Sequence, residues 1–256
     1  MNIHRHQFPS SRYSDESPHD GGDLYVLASP RPDAELKPLL RGRLGKGIVR
    51  GYDLSYDAKR VVFGFWNSQV KRPAPKTRFE YDCYVTEGHS NIYELDLTTG
   101  EIRQLTDDPW HDIDPCYLPG GRIAFASERC GYNAQCDPHP WSEVLVNLYT
   151  MNGDGSDVRR LVSNKDSDNF PRVLGDGRIF YTHWEYHERH WFHTQSLWVS
   201  QPDGTQQDAL FKQHLNNPWA LEDVRSIPGT YNARLVSIAT GHHTLAMGPV
   251  VIVTRC

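Results

Sequence analysis

Three groups of residues in this 256-residue chain could do chemistry. Cys130 and Cys136 lie six positions apart in SERCGYNAQCDPHP. That spacing suits a local disulfide if the Cα atoms come within about 7 Å. It also suits a metal site completed by His or carboxylate ligands from elsewhere, or simply two reduced thiols in a loop. It is wider than the CxxC knuckle of zinc sites. The second group is HWEYHERHWFH, which carries His183, Glu185, His187, Glu188, His190 and His193. On a strand, His183, Glu185 and His187 share one face, because side chains alternate. Imidazole and carboxylate together can bind zinc, iron or copper, or act as an acid/base pair. HExxH is not matched, since Glu188 is followed by Arg189 and His190, and an exposed loop after Tyr186 would leave these residues merely solvated. The third group is His242 and His243, which follow an apolar run. Cys130, Cys136, His183, His187, His242 and His243 are therefore the candidate ligands for a transition metal.

These residues are positioned by a repeat. The segments DLYVL, NIYELDL, NLYTMN and SLWVSQ are each followed by a second strand that opens near a basic residue: KRVVFGF, GRIAFAS, GRIFYTH and ARLVSIA. The arginines of the second strands, Arg60, Arg122, Arg178 and Arg234, are spaced 62, 56 and 56 residues apart. Alternating apolar residues mark half-buried strands, and pairs such as Asp-Gly and Gly-Gly accept the positive φ of tight turns. A repeated four-strand unit of this length is the pattern of a β-propeller blade. The expected fold is all-β, a propeller of antiparallel four-stranded blades over residues 23–256 with a polar, disordered tail at 1–22. Blades are expected at about 23–66, 90–130, 146–187 and 196–243, with a partial strand at 247–254 that looks like the start of a fifth. A chain of this kind is expected to be either an incomplete propeller or a ring closed by its terminal strand. Equivalent blade ends converge on one face, which would bring Cys130, Cys136, the His183 stretch, His242 and His243 near one another. The competing expectation is that strand ends are polar because they meet water. Asp112, Asp114 and Pro115 correspond loosely to Ser167, Asn169 and Pro171, and such short polar residues usually hydrogen-bond local backbone.

Composition narrows the function. The formal charge is −5 and there is no basic cluster, which argues against a nucleic-acid partner. No apolar run approaches the roughly 20 residues of a membrane span. The N-terminal stretch has no apolar signal region. With 20 glycines, 17 prolines and 11% aromatics, the chain is turn-rich and has the rings to build a core. RGRLGKGIVRG lacks the order GxxxxGK[ST] and reads as a bend entering a strand. No GxSxG nucleophile elbow is present. Trp198 sits at the repeat position of Tyr25, Tyr93 and Tyr149 and is expected in the core.

The stretch LYTMNGDGSDVRRLV…FPRVLGDGRIFYTHWEY resembles the repeat of TolB-type, WD-repeat-like propellers. Three further stretches, RGRLGKGIVRGYDLSYDAKRVVFGFW, IAFASERCGYNAQC and DGRIFYTHWEYHERHW…QSLWVSQPDGT, are similar to the propeller-forming middle domain of the hydrazine synthase alpha subunit and its relatives in planctomycete-like bacteria. The resemblance implies the fold, a joint role for Cys130 and Cys136, and a periplasmic or extracytoplasmic location if the chain is truncated. It implies no c-type haem here, because no CxxCH occurs in the chain. The expected function is a non-catalytic interaction or scaffold module that presents its loop face to a protein partner or small ligand. The alternative is a metal-dependent redox or hydrolytic enzyme component using the His and Cys residues at the blade ends.

Overall fold

The computed structural model describes residues 22–71, 87–131, 145–185, 195–211, 218, 220–240 and 248–254. Among these, seventeen strands carry the fold, and the single helical turn is a 3-10 turn at Glu128–Cys130. Four antiparallel sheets form a four-bladed propeller. The first is β3 (Gly47–Leu54), β4 (Arg60–Lys71), β5 (Glu87–Asp96) and β6 (Ile102–Gln104). The second is β7 (Asp112–Tyr117), β8 (Arg122–Ser127), β9 (Asn147–Asn152) and β10 (Arg159–Arg160). The third is β11 (Ser167–Val173), β12 (Ile179–Trp184), β13 (Gln195–Ser200) and β14 (Asp208–Phe211). The fourth is β15 (Ala220–Ser226), β16 (Arg234–Thr240) and β17 (Val250–Thr254). Strands β1 (Tyr25–Leu27) and β2 (Leu36–Pro38) pair as a separate ribbon.

Each blade is a meander, and its turns follow from local chemistry. In the third blade, Asp203 Oδ1 accepts from the amide and the hydroxyl of Thr205, at 3.0 and 2.7 Å. Asp154 does the same with Ser156 in the second blade. Between these caps sit Gly155 and Gly204, at φ +90° and +84°. A Cβ on Gly204 would lie 1.9 Å from the carbonyl oxygen of Leu161, and one on Gly155 would lie 2.3 Å from that of Leu105. Each of these outer hairpins is thus seated against the last strand region of the preceding blade. Apolar clusters fill the spaces between blades. Val62, Ile92, Phe125 and Tyr149 pack between the first and second blades, and Ile113, Leu148, Ile179 and Tyr181 between the second and third. Leu197, Leu221, Leu235 and Val253 pack between the third and fourth.

The phase of the blades differs from the units expected from sequence. The second, third and fourth units each contribute their first two strands to the outside of one sheet and their last two to the inside of the next, while the first unit's opening strands form the separate ribbon. The short turns made sequence neighbours look like blade partners, whereas pairing continues across the longer connections 72–86, 131–146, 185–194 and 241–249. The segment set apart as a fifth unit supplies β17, which pairs with β16 as the third strand of the fourth sheet. Register also aligns Asp112 with Asp168 and Asp114 with Phe170. The alignment expected from sequence, Asp112 with Ser167 and Asp114 with Asn169, is one residue out. Phe170 holds φ +52°, a conformation that favours Gly, Asn and Asp, so a phenylalanine there does not advertise its equivalence to Asp114.

Gly204→Ala is expected to lower unfolding free energy by about 2–4 kcal/mol, because left-handed strain adds to a backbone clash. Gly177→Ala, also at positive φ but with open space around it, is expected to cost only about 1–2 kcal/mol. Chemical denaturation of the two variants checks this, and equal losses would contradict the seating of the hairpin.

Candidate functional site

Two regions gather polar side chains. The first is the blade ends, where the candidates from sequence fall. In the second blade, β8 runs into the 3-10 turn, whose N-cap is Ser127 and whose left-handed C-cap is Gly131 at φ +68°. This turn brings Arg129 back over the sheet. Its guanidinium donates to both oxygens of the fully buried Asp112, at 2.7 and 3.2 Å, and to Asp108. Its Cζ lies 5.4 and 5.9 Å from the ring centroids of Phe125 and Tyr149, within cation–π range. Cys130 follows, and its thiol donates to the carbonyl oxygen of Leu145 at 3.2 Å.

In the third blade the register places Asp168 opposite His183. His183 Nδ1 is 2.6 Å from Asp168 Oδ1, and Nε2 is 3.0 Å from Glu185 Oε1. Trp198 lies over the imidazole with ring centroids 4.1 Å apart; expected in the core, it is half-buried against the core's edge. Burial opposes charge on this ring, but the hydrogen bonds to Asp168 and Glu185 outweigh it and push the pKa up to about 9. His183 is therefore an imidazolium clamped between two carboxylates at neutral pH, with both ring nitrogens engaged. Asp112 and Asp168 occupy the same register position, one held by an arginine and the other by a histidine.

The structure thus gives Cys130 and His183 separate partners in separate blades. Cys136, His187, His242 and His243 lie outside the described residues, as do Glu188, His190 and His193. Among the described residues, no three His, Cys, Asp or Glu side chains are grouped to hold a metal ion. Sequence reasoning missed His89 and His111. The Nδ1 of His111 accepts from the Ser90 amide at 3.0 Å, and the two rings meet edge-on at 5.7 Å.

The second region is a cavity of about 390 Å³ on the propeller axis, which sequence reasoning missed altogether. It is lined by residues from all four inner strands, β3, β7, β11 and β15, together with Asp23 and Leu24. Each inner strand carries a bulge at the same repeat position. The bulge residues Gly51, Asp114, Phe170 and Asp223 all hold left-handed φ, at 66°, 51°, 52° and 43°. A bulge re-aims side chains locally, and here it accompanies charge at the axis. Arg172 Nη2 donates to Asp223 Oδ1 at 3.1 Å, and Arg225 Nε donates to the same oxygen at 3.3 Å. With Arg50 the lining holds three guanidinium groups and three carboxylates, those of Asp23, Asp114 and Asp223. Asp114 is 3% exposed and its Oδ2 has no hydrogen-bond partner, and neither has Nε of the equally buried Arg172. Burial pushes the Asp114 carboxyl above the usual range, against the pull of Arg50 and Arg172. Gly51 makes the arrangement possible: a Cβ there would lie 2.6 Å from both Cα and Oδ1 of Asp114.

No protein-family model matches the chain. It is 25% identical over 215 residues to hydrazine synthase subunit alpha of Kuenenia stuttgartiensis, covering 77% of this chain and 24% of that protein. The chain therefore spans about a quarter of that relative's length. The solved Kuenenia stuttgartiensis hydrazine synthase superposes with a TM-score of 0.63 at 12% identity, covering 87% of this chain and 33% of that one. TolB from Acinetobacter baumannii superposes with a TM-score of 0.55 at 17% identity, covering 84% and 42%. The chain is a TolB-like propeller that resembles hydrazine synthase.

The clamped imidazolium predicts a pH dependence. With a folded pKa of about 9 against 6.5 unfolded, its stabilisation is complete below about pH 6.5 and is lost as pH rises through 9. The loss is of order 3 kcal/mol. Denaturation midpoints of the native chain are expected to fall between pH 6.5 and 9, and His183→Gln is expected to flatten that slope. An unchanged slope in the variant would show that His183 is not the titrating group.

Proposed function

We propose that this propeller is a non-catalytic binding module whose ligand sits in the axial cavity. One observation carries the reading: the axis is where charge faces open volume. At the blade ends the ions are paired with one another, Asp112 with Arg129, and Asp168 and Glu185 with His183. On the axis, Arg172 and Arg225 are paired with Asp223, but these groups, with Arg50, Asp23 and Asp114, also line about 390 Å³, a volume within the range of small-molecule sites. The resemblance to TolB and to hydrazine synthase supports the architecture, and the activity of the longer relative comes to this chain only as a question. Its three guanidinium groups, a favoured partner of oxyanions, make small anions the first class to test.

Inorganic phosphate, compared with chloride at equal ionic strength, is expected to raise Tm by about 3 °C at roughly ten times its Kd. Arg225→Gln is expected to abolish that rise. A rise that persists in the variant would place the anion elsewhere, and no rise in the native chain would remove the axial seat. The competing role, a metal-dependent enzyme component, is tested by elemental analysis of untagged protein. An equivalent of transition metal lost on Cys130→Ser would move the function to the blade ends.

A further inference from the structure

We propose that the fourth blade of one chain packs against the first blade of a second copy, head to tail, so that two chains close one ring. The inference rests on the seam between these blades and is independent of the axial cavity. Within the chain, consecutive blades meet by a repeated contact. Phe180, Leu197 and Val199, on the second and third strands of the third blade, are covered by Leu221, Val224 and Leu235 of the fourth. All six are at most 4% exposed. The far side of the fourth blade carries the same positions uncovered. Register pairs Val236 with Ile252 and Ile238 with Val250, as it pairs Phe180 with Val199 and Thr182 with Leu197. Val250 and Ile252 are 71% and 62% exposed, and Val236 and Ile238 are only half-buried. Their neighbours Leu235, Ala239 and Val253 point the other way, into the core shared with the third blade.

The first blade shows the matching half. Tyr52 follows the bulge residue Gly51, as Pro115, Pro171 and Val224 follow theirs. Those three are buried, Val224 against the preceding blade, whereas Tyr52 is 55% exposed. Leu54, also exposed, holds the position at which Tyr117 is buried in the core between the first and second blades. Leu24 and Leu40, flanking the ribbon, cover another part of this face. Among the described residues, no buried apolar cluster joins the fourth blade to the first. The chain thus carries, uncovered, both halves of a contact that it makes three times internally. Exposed apolar faces of this kind mark interaction sites, and a second copy presents to each half the one it lacks. One head-to-tail contact leaves a free half on each chain, and a second identical contact closes the ring. Pairing two fourth blades face to face would leave Tyr52 and Leu54 uncovered.

Analytical ultracentrifugation of the 256-residue chain at a concentration well above that of a micromolar contact is expected to give the mass of two chains. Ile252→Asp and Tyr52→Asp each place a carboxylate in the contact. Each is expected to weaken self-association at least about thirtyfold and to give monomers. Because each variant keeps the half that the other has lost, an equimolar mixture is expected to recover a pair through one intact contact. Circular dichroism matching that of the native chain shows that the variants fold, which their exposed positions favour. A native chain that stays monomeric would overturn the proposal whether or not the variants fold. Dimers that persist in Tyr52→Asp but not in Ile252→Asp would replace it with face-to-face pairing of fourth blades. A mixture that stays monomeric would overturn the head-to-tail order, and species larger than two chains would overturn the closed ring.

Discussion

The structure turns on a backbone distortion repeated four times. Midway along each inner strand, one residue adopts left-handed φ and breaks the pairing register by a bulge. Only the first blade places a glycine there. Asp114, Phe170 and Asp223 hold a conformation that costs an L-residue about 1–2 kcal/mol, somewhat less for Asp. Strain of this kind persists only where the surroundings over-determine it, and it gathers at functional sites. Here the surroundings are paired strands, interblade cores and, at Asp114, a neighbouring blade whose Gly51 leaves no Cβ in the way. The same distortion lies beside the axial arginines and carboxylates, so local strain and axial charge occur together.

The blade ends solve a different problem. Register commits Asp112 and Asp168 to nearly complete burial, at 0% and 1% exposure. An isolated carboxylate cannot be left there, because desolvation is too costly without a partner. The second blade answers with Arg129, delivered by a 3-10 turn, and the third with His183, delivered by the partner strand itself. Removing either cation would leave a buried charge unmatched, which is why these groups read as architecture. The histidine-rich stretch therefore contains at least one member whose chemistry is spent on holding two elements together.

The local parts of the fold were legible in the amino-acid sequence. Alternation in RIFYTH and SLWVS marks paired strands, and Asp-Gly-Ser and Asp-Gly-Thr mark the turns that Asp154 and Asp203 cap. Trp198 was expected in the core from its repeat position, and it lies half-buried against the core's edge. The grouping of strands into sheets was not, because the connections between second and third strands are longer than those that join one blade to the next. The axial site was not legible either. Arg50, Arg172 and Arg225 belong to three strands and look like ordinary strand polar residues. The bulges also interrupt the alternation that would have shown which way each residue points. Asp114 and Phe170 share a position that no comparison of side-chain type would align. The blade-end pairing was half legible: His183 and Glu185 share a face as expected, while Asp168, which completes the clamp, lies fifteen residues upstream and is joined only by register.

The seating of Gly155 beneath the Leu105 carbonyl and of Gly204 beneath that of Leu161 gives the ring a polarity. These two hairpins lean on the blade that precedes them in the chain, and the fit tolerates no side chain on the leaning partner. A blade emerging during synthesis therefore meets a finished seat behind it and in turn becomes the seat for the next. Such nearest-neighbour stacking lets order propagate from one blade to the next. It also means that neighbouring blades must change together, since a side chain acquired at the tip of one hairpin would have to be accommodated by movement of its predecessor.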